Sequence, residues 1–149
     1  MALGDWLTVI DGLLALPYPA EATQEKTEHG YRNSGPGYHV ALLHATRDFW
    51  DDRSEEVYEP AVAEIEAAER AVREALTAYW GEPEKVDLGP YLFTDEPAPE
   101  PMNQLSMLCG SMMVWRQPGT ARWVALAIGQ PDVEFPIELL AAVAETPLS

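Results

Sequence analysis

Basic residues are scarce in this sequence. Its two lysines, Lys26 and Lys85, and its few arginines make nine cations against 25 acids, a formal charge of −16 over 149 residues. No Lys/Arg run appears anywhere, and so acidic a surface repels phosphate, which excludes nucleic acid as a partner. Anionic membrane surfaces are disfavoured for the same reason. The single cysteine, Cys109, excludes an internal disulfide; lying in an apolar run, it reads as an inert buried thiol. Uninterrupted apolar runs long enough to cross a bilayer are missing too. The apolar N-terminal stretch is broken by Asp5 and Asp11 and preceded by no basic residue, so no signal peptide is expected and the cytoplasm is the expected location. Glycines form neither a P-loop nor a dinucleotide fingerprint, and Ser106 and Ser111 stand outside any G-x-S-x-G elbow.

What the sequence does have is apolar material, 47% of its residues, enough for one domain spanning 1–149. The strongest period runs from Tyr58 to Trp80. Tyr58, Val62, Ile65, Val72, Leu76 and Tyr79 recur at helical spacing, with Ala68 filling the stripe, and Glu64, Glu66, Glu69, Arg70, Arg73 and Glu74 lie opposite. Glu66 with Arg70 and Glu69 with Arg73 stand in the favourable acid-first order. Gly81 and then Pro83 give the stop signal. The spacing predicts a helix over about 58–80, with Ser54 capping an earlier start and Pro60 in its first turn or at a kink.

The other elements are shorter. Asp5 is expected to cap a first helix carrying Trp6, Ile10, Leu13 and Leu14 on one face, ended by Pro17 and Pro19. Residues 20–37 read as a polar loop with a helical turn within Glu21–Glu28, and Tyr38–Ala45 as a strand. A short strand is expected at Pro90–Phe93. Leu105–Arg116 reads as an apolar run split at Gly110-Ser111 by a bulge. Gln117-Pro118-Gly119-Thr120 predicts a type II turn into a strand over Arg122–Ile128. Residues 133–143 fit either a strand or a helix; alternation of Val133, Phe135, Ile137 and Leu139 favours a strand, with Pro136 marking it as an edge. The sum is an α+β fold: an antiparallel sheet of three to four strands, the long helix across one face and the short N-terminal helix nearby.

Chemistry-bearing residues converge poorly. His39 and His44 are expected on opposite faces of a regular strand, and His29 has no ligand-spaced partner, so neither a catalytic residue nor a metal ligand is assigned, and no cofactor is expected. One concentration remains, the cluster Asp48, Trp50, Asp51, Asp52, Glu55 and Glu56. On a helix, Asp48 with Asp52 and Asp51 with Glu55 would share faces as a cation site demands, yet the glycine and terminal glutamate of an EF-hand loop are missing. A solvated helix entrance explains the acids equally well. Trp50, a large aromatic ringed by like charges, points instead to an interface anchor.

The segment from Trp115 to Pro136, W-R-x-P-G-T-x-R-W-V-A-L-x-x-G-Q-x-D-x-E-x-P, together with Trp80-Gly81-Glu82-Pro83, resembles an uncharacterised family of small acidic α+β proteins from high-GC bacteria. The resemblance carries over no catalytic residues. In size and charge the chain is also similar to immunity proteins that neutralise secreted toxins. The functional expectation is therefore a non-catalytic, acidic protein-binding domain, immunity- or chaperone-like, acting as monomer or homodimer on a basic protein partner through Asp48, Trp50, Asp51, Asp52, Glu55 and Glu56. The alternative is an enzyme or small-ligand domain whose site is assembled only by the fold.

Overall fold

The computed structural model describes residues 3–148. Its centre is Glu138–Ala144, a strand of almost unbroken apolar sequence, Leu-Leu-Ala-Ala-Val-Ala after the first residue. Both faces of that strand are covered, which is why its sequence runs apolar instead of alternating. In chain order the elements are α1 (Leu3–Ala15), β1 (Thr23–Thr27), β2 (Gly30–Gly35), β3 (Tyr38–Ala45), α2 (Glu55–Trp80), β4 (Glu84–Asp87), α3 (Gly89–Leu92), α4 (Met102–Leu108), β5 (Ser111–Arg116), β6 (Trp123–Gly129) and β7 (Glu138–Ala144). All seven strands form one antiparallel sheet in the order β1-β2-β3-β7-β6-β5-β4. The class is α+β, but the expected three to four strands are overturned by seven, and four helices are present among the described residues.

Each extra strand has a physical reason for having been missed. The hairpin β1–β2 fills what reads as a polar loop with a helical turn: Thr-Gln-Glu-Lys-Thr is an exposed edge strand with no buried face, so no alternation marks it. Its turn is closed at Gly30, whose φ of 138° suits glycine. Strand β4 lies just before the expected Pro90–Phe93 strand, which is instead the helical turn α3 entered at Pro90. The apolar run 105–116 is no bulged strand: its first half is α4 and its second β5, with Gly110 at the change. Strand β7 starts at Glu138, not Val133, and is central, so Pro136 ends a loop and marks no edge.

Alternation does divide the core. Val124, Leu126, Leu139, Ala141 and Val143 face α1 and α2, while Trp123, Ala125, Ala127, Leu140, Ala142 and Ala144 face α4 and the chain before it. The turn 117–120 joins β5 to β6 with Gly119 at φ 78°, the conformation a type II turn demands. Helix α2 begins at Glu55, three residues before Tyr58, so Pro60 lies in its second turn. Ser54 is extended and precedes it, although its hydroxyl makes no capping bond. Asp5 likewise lies inside α1 rather than capping it. The buried stripe of α2 is Ala61, Ile65, Ala68, Val72 and Leu76. Tyr58 and Tyr79, assigned to that stripe from spacing, are exposed instead, and the stripe ends at Ala61 and Leu76.

Candidate functional site

The loop 46–54 between β3 and α2 carries the acidic cluster, and a second loop holds it in place. Thr46 N–H donates to the Ile137 carbonyl at 2.9 Å, Ile137 N–H donates to Thr46 Oγ1 at 3.0 Å, and Phe49 N–H donates to the Glu134 carbonyl at 2.8 Å. Phe49 is fully buried and packs at 5.3 Å against Tyr58. With Phe49 inside, the next residue is turned outward. Trp50 is 57% exposed, and its ring meets Phe135 edge-on at 5.1 Å. Val133 is 56% exposed, Phe135 and Tyr58 39% each. Gln130 Nε2 holds the second loop by donating to the Phe135 carbonyl at 2.9 Å.

Asp48, Asp51 and Asp52 flank Trp50 along the loop, and Glu55 and Glu56 open the first turn of α2; all five are exposed. The i,i+4 cation site drawn from sequence does not form, because the helix starts only at Glu55. Asp52 instead accepts the Ser54 N–H at 2.9 Å, and that bond holds its carboxyl below the ordinary range. Among the described residues no group of three acids, histidines or cysteines is placed to hold a metal ion. Of the cluster's neighbours, Arg53 pairs at 3.7 Å with Glu134. Sequence reasoning missed Val133 and Phe135, assigning both to a strand; Gly129-Gln130-Pro131-Asp132 was the signal that a longer loop starts there.

The sheet bears a second polar assembly. His39 and His44 lie on the same face, not opposite ones, because a bulge between Leu42 and His44 resets the alternation. His44 Nε2 meets Glu64 of α2 at 2.6 Å, and its ring packs edge-on against Trp6 of α1. His39 is paired across the hairpin with Ser34. Its Nε2 lies 3.0 Å from the Leu16 carbonyl, which can only accept, so the proton sits on Nε2 and Nδ1 accepts the Ser34 hydroxyl at 2.6 Å. Tyr18 stacks on the ring at 4.9 Å. Burial, reinforced by Arg32 and Arg122, lowers the His39 pKa. Hydroxyl, imidazole and orienting carbonyl have the connectivity of a nucleophile and its base. Both side chains are buried, however, and neither lines any of the five hollows, which fits a structural hydrogen-bonded pair.

On the other face, Tyr31 donates to Glu138 at 2.8 Å, and burial pushes the Glu138 carboxyl up. Cys109 is buried beside them, its thiol pushed up to about 12 by burial, which leaves it unreactive. A hollow of about 340 Å³ lies between α1 and the β1–β2 turn, with Val9, Leu13 and Ala41 in its wall and Asp5, His29 and Arg32 among its polar lining. Arg32 is already engaged there by Glu25.

Comparison with known proteins gives no matching family model, no matching curated protein and no matching solved structure. No described helix is long and apolar enough to cross a membrane.

Proposed function

We propose that this protein is a non-catalytic binding domain for a basic protein partner, immunity- or chaperone-like and cytoplasmic. The observation that carries the reading is Trp50: a tryptophan 57% exposed, backed by Phe135 and flanked along the chain by five exposed carboxylates. Aromatics exposed together and rimmed by charge are how interface anchors are built, since the ring supplies apolar burial and the rim steers. The net charge of −16 extends that steering over the whole approach. Two stapled loops hold the anchor in position before a partner arrives, which lowers the ordering cost of binding.

The test is capture from an extract of the source cell with wild type, Trp50→Ala and the double reversal Asp51→Lys/Asp52→Lys. A basic protein retained by wild type should be lost from both variants. With the purified partner, the reversal should slow association and flatten its salt dependence, whereas Trp50→Ala should mainly speed dissociation. Equal capture by all three proteins sinks the reading.

The hollow beside α1 favours a second reading, a small-ligand domain, because its volume falls in the range of small-molecule sites and its polar groups converge on an apolar wall. A thermal-shift screen of small metabolites, repeated on Gly12→Leu to fill the hollow, tests it. A hit that shifts both proteins equally does not bind there.

A further inference from the structure

The exposed patch does not end at Tyr58. That residue also lines a cavity of about 250 Å³ with Val62, Ile128 and Ile137. Ile128 is shared with a second hollow of about 210 Å³, and Met113 of the second is shared with a third of about 410 Å³. On the helix side the walls are Tyr58, Val62, Glu66, Glu69, Arg73 and Thr77, three or four residues apart, which is one flank of α2. The three hollows are thus one furrow between α2 and the β6–β5–β4 side of the sheet. From Tyr58 to Thr77 it runs about 28 Å, at 1.5 Å per helical residue.

Its charge is uneven. Glu69 is neutralised by Arg73 at 3.0 Å. Among the described residues Glu66 has no ion pair, since the Glu66–Arg70 pair expected from spacing is not formed, and Glu74 has none either, although Lys85 lines the third hollow with it and is offset there by Glu82. These two unpaired carboxylates are eight residues, about 12 Å, apart along the helix. An extended chain covers that distance in about four residues.

We propose that the partner's contacting segment is an extended basic stretch lying along this furrow, with an aliphatic side chain in the cavity beside Tyr58 and two cations, four residues apart, on Glu66 and Glu74. The proposal rests on the binding reading above and gives its partner a sequence pattern. Val62 to Glu66 is about 6 Å, so the aliphatic residue precedes the first cation by about two extended residues. Extended backbone suits a row of hollows because alternate side chains enter successive ones.

The probes are synthetic octapeptides: one with leucine first and arginines third and seventh among serines, and an isomer with the two arginines adjacent. Binding is followed by the methyl resonances of Met113 and Ile128 and by the Trp50 indole N–H. The spaced probe should shift both methyls and bind at least several-fold more tightly than its isomer. Glu66→Gln and Glu74→Gln, both surface changes, should each weaken it about two- to fivefold. A spaced probe with proline between its arginines, unable to form a helix, should bind as well.

Equal binding of the two isomers overturns the proposal, as does loss of binding on adding proline, which would mean a helical occupant. Self-association that buries the Met113 methyl without peptide overturns it in favour of a second copy. Shifts confined to Trp50 and Phe135 remove the furrow but leave the patch as the binding surface. Methyl shifts with the intact partner and no response at Trp50 do the reverse.

Discussion

At Ser34 and His39 the polar atoms are buried and partnered, whereas at Trp50 and Phe135 apolar rings stand exposed on loops that carry exposed carboxylates. The first region has the residue types of catalysis and the second does not, yet only the second meets solvent. A hydroxyl donating to an imidazole inside a sheet satisfies two groups that burial would otherwise leave costly. An exposed aromatic pair gains nothing comparable from the fold. Accessibility, more than residue type, decides which of the two regions is open to a partner.

The largest expected effect calibrates what burial means here. Leu76→Ala, on the stripe of α2 against the sheet, should cost about 2–5 kcal/mol in chemical denaturation. Glu66→Ala on the exposed flank should stay within about 0.5 kcal/mol. If the two losses are alike, α2 does not pack as described, and the furrow beside it loses its wall.

His39→Phe comes next, keeping volume and aromaticity while stranding the Ser34 hydroxyl and the Leu16 carbonyl. An unsatisfied buried partner costs about 1–3 kcal/mol. The pH dependence identifies the cause. His39 is held neutral by burial, with a folded pKa below its ordinary 6.5. As pH falls through about 6.5 the unfolded chain binds a proton that the folded one refuses, so wild type loses stability until the lower folded pKa is reached. The variant lacks that titration. Its deficit should therefore shrink between pH 8 and pH 5, while partner capture stays unchanged. A deficit constant with pH would mean that His39 is not the buried neutral group described.

How much of this was legible depended on whether one face of an element is buried and the other is not. Helix α2 satisfied that condition and showed a clear period, although the period misassigned Tyr58 and Tyr79 at its ends. Strand β1 is exposed on both faces and β7 buried on both, so neither alternates; the first looked like a loop and the second left helix and strand open. The Trp50 cluster was visible as composition alone. Its backing by Phe135 was not, since 85 residues separate them and hydrogen bonds from Thr46 and Phe49 bring the loops together. His44 was misplaced by one bulged residue, which no single-strand pattern reveals.

Glu138→Gln reverses the usual sign of a core substitution. Burial raises the Glu138 pKa above its ordinary 4.5, so its favourable contribution is complete below pH 4.5 and is lost as pH rises through the folded value. Glutamine stays neutral and still offers a carbonyl to the Tyr31 hydroxyl. The variant should melt a few degrees above wild type at pH 7–8, with the gap closing towards pH 4. A variant less stable than wild type at pH 8 would show that the ionised carboxylate is compensated by partners beyond Tyr31.

The smallest effect on stability belongs to Trp50, and its smallness is the point. More than half of the ring is already in solvent, and its one aromatic contact is with Phe135, itself partly exposed. Trp50→Ala should therefore change stability by no more than about 0.5 kcal/mol, as surface substitutions do. Fluorescence separates this tryptophan from Trp6, Trp115 and Trp123, which are buried, and leaves half-buried Trp80 as the source of the remaining accessible emission. The substitution should remove most of the emission that acrylamide quenches, whereas Phe135→Ala, by uncovering one side of the ring, should make wild-type-like emission easier to quench. Should Trp50→Ala instead cost as much as His39→Phe, the ring belongs to the core, and the contrast between a buried polar assembly and an exposed apolar one fails at its exposed end. A binding defect in a variant that keeps its stability and loses only its accessible fluorescence would then have a single physical source, the apolar surface that the fold holds out to solvent.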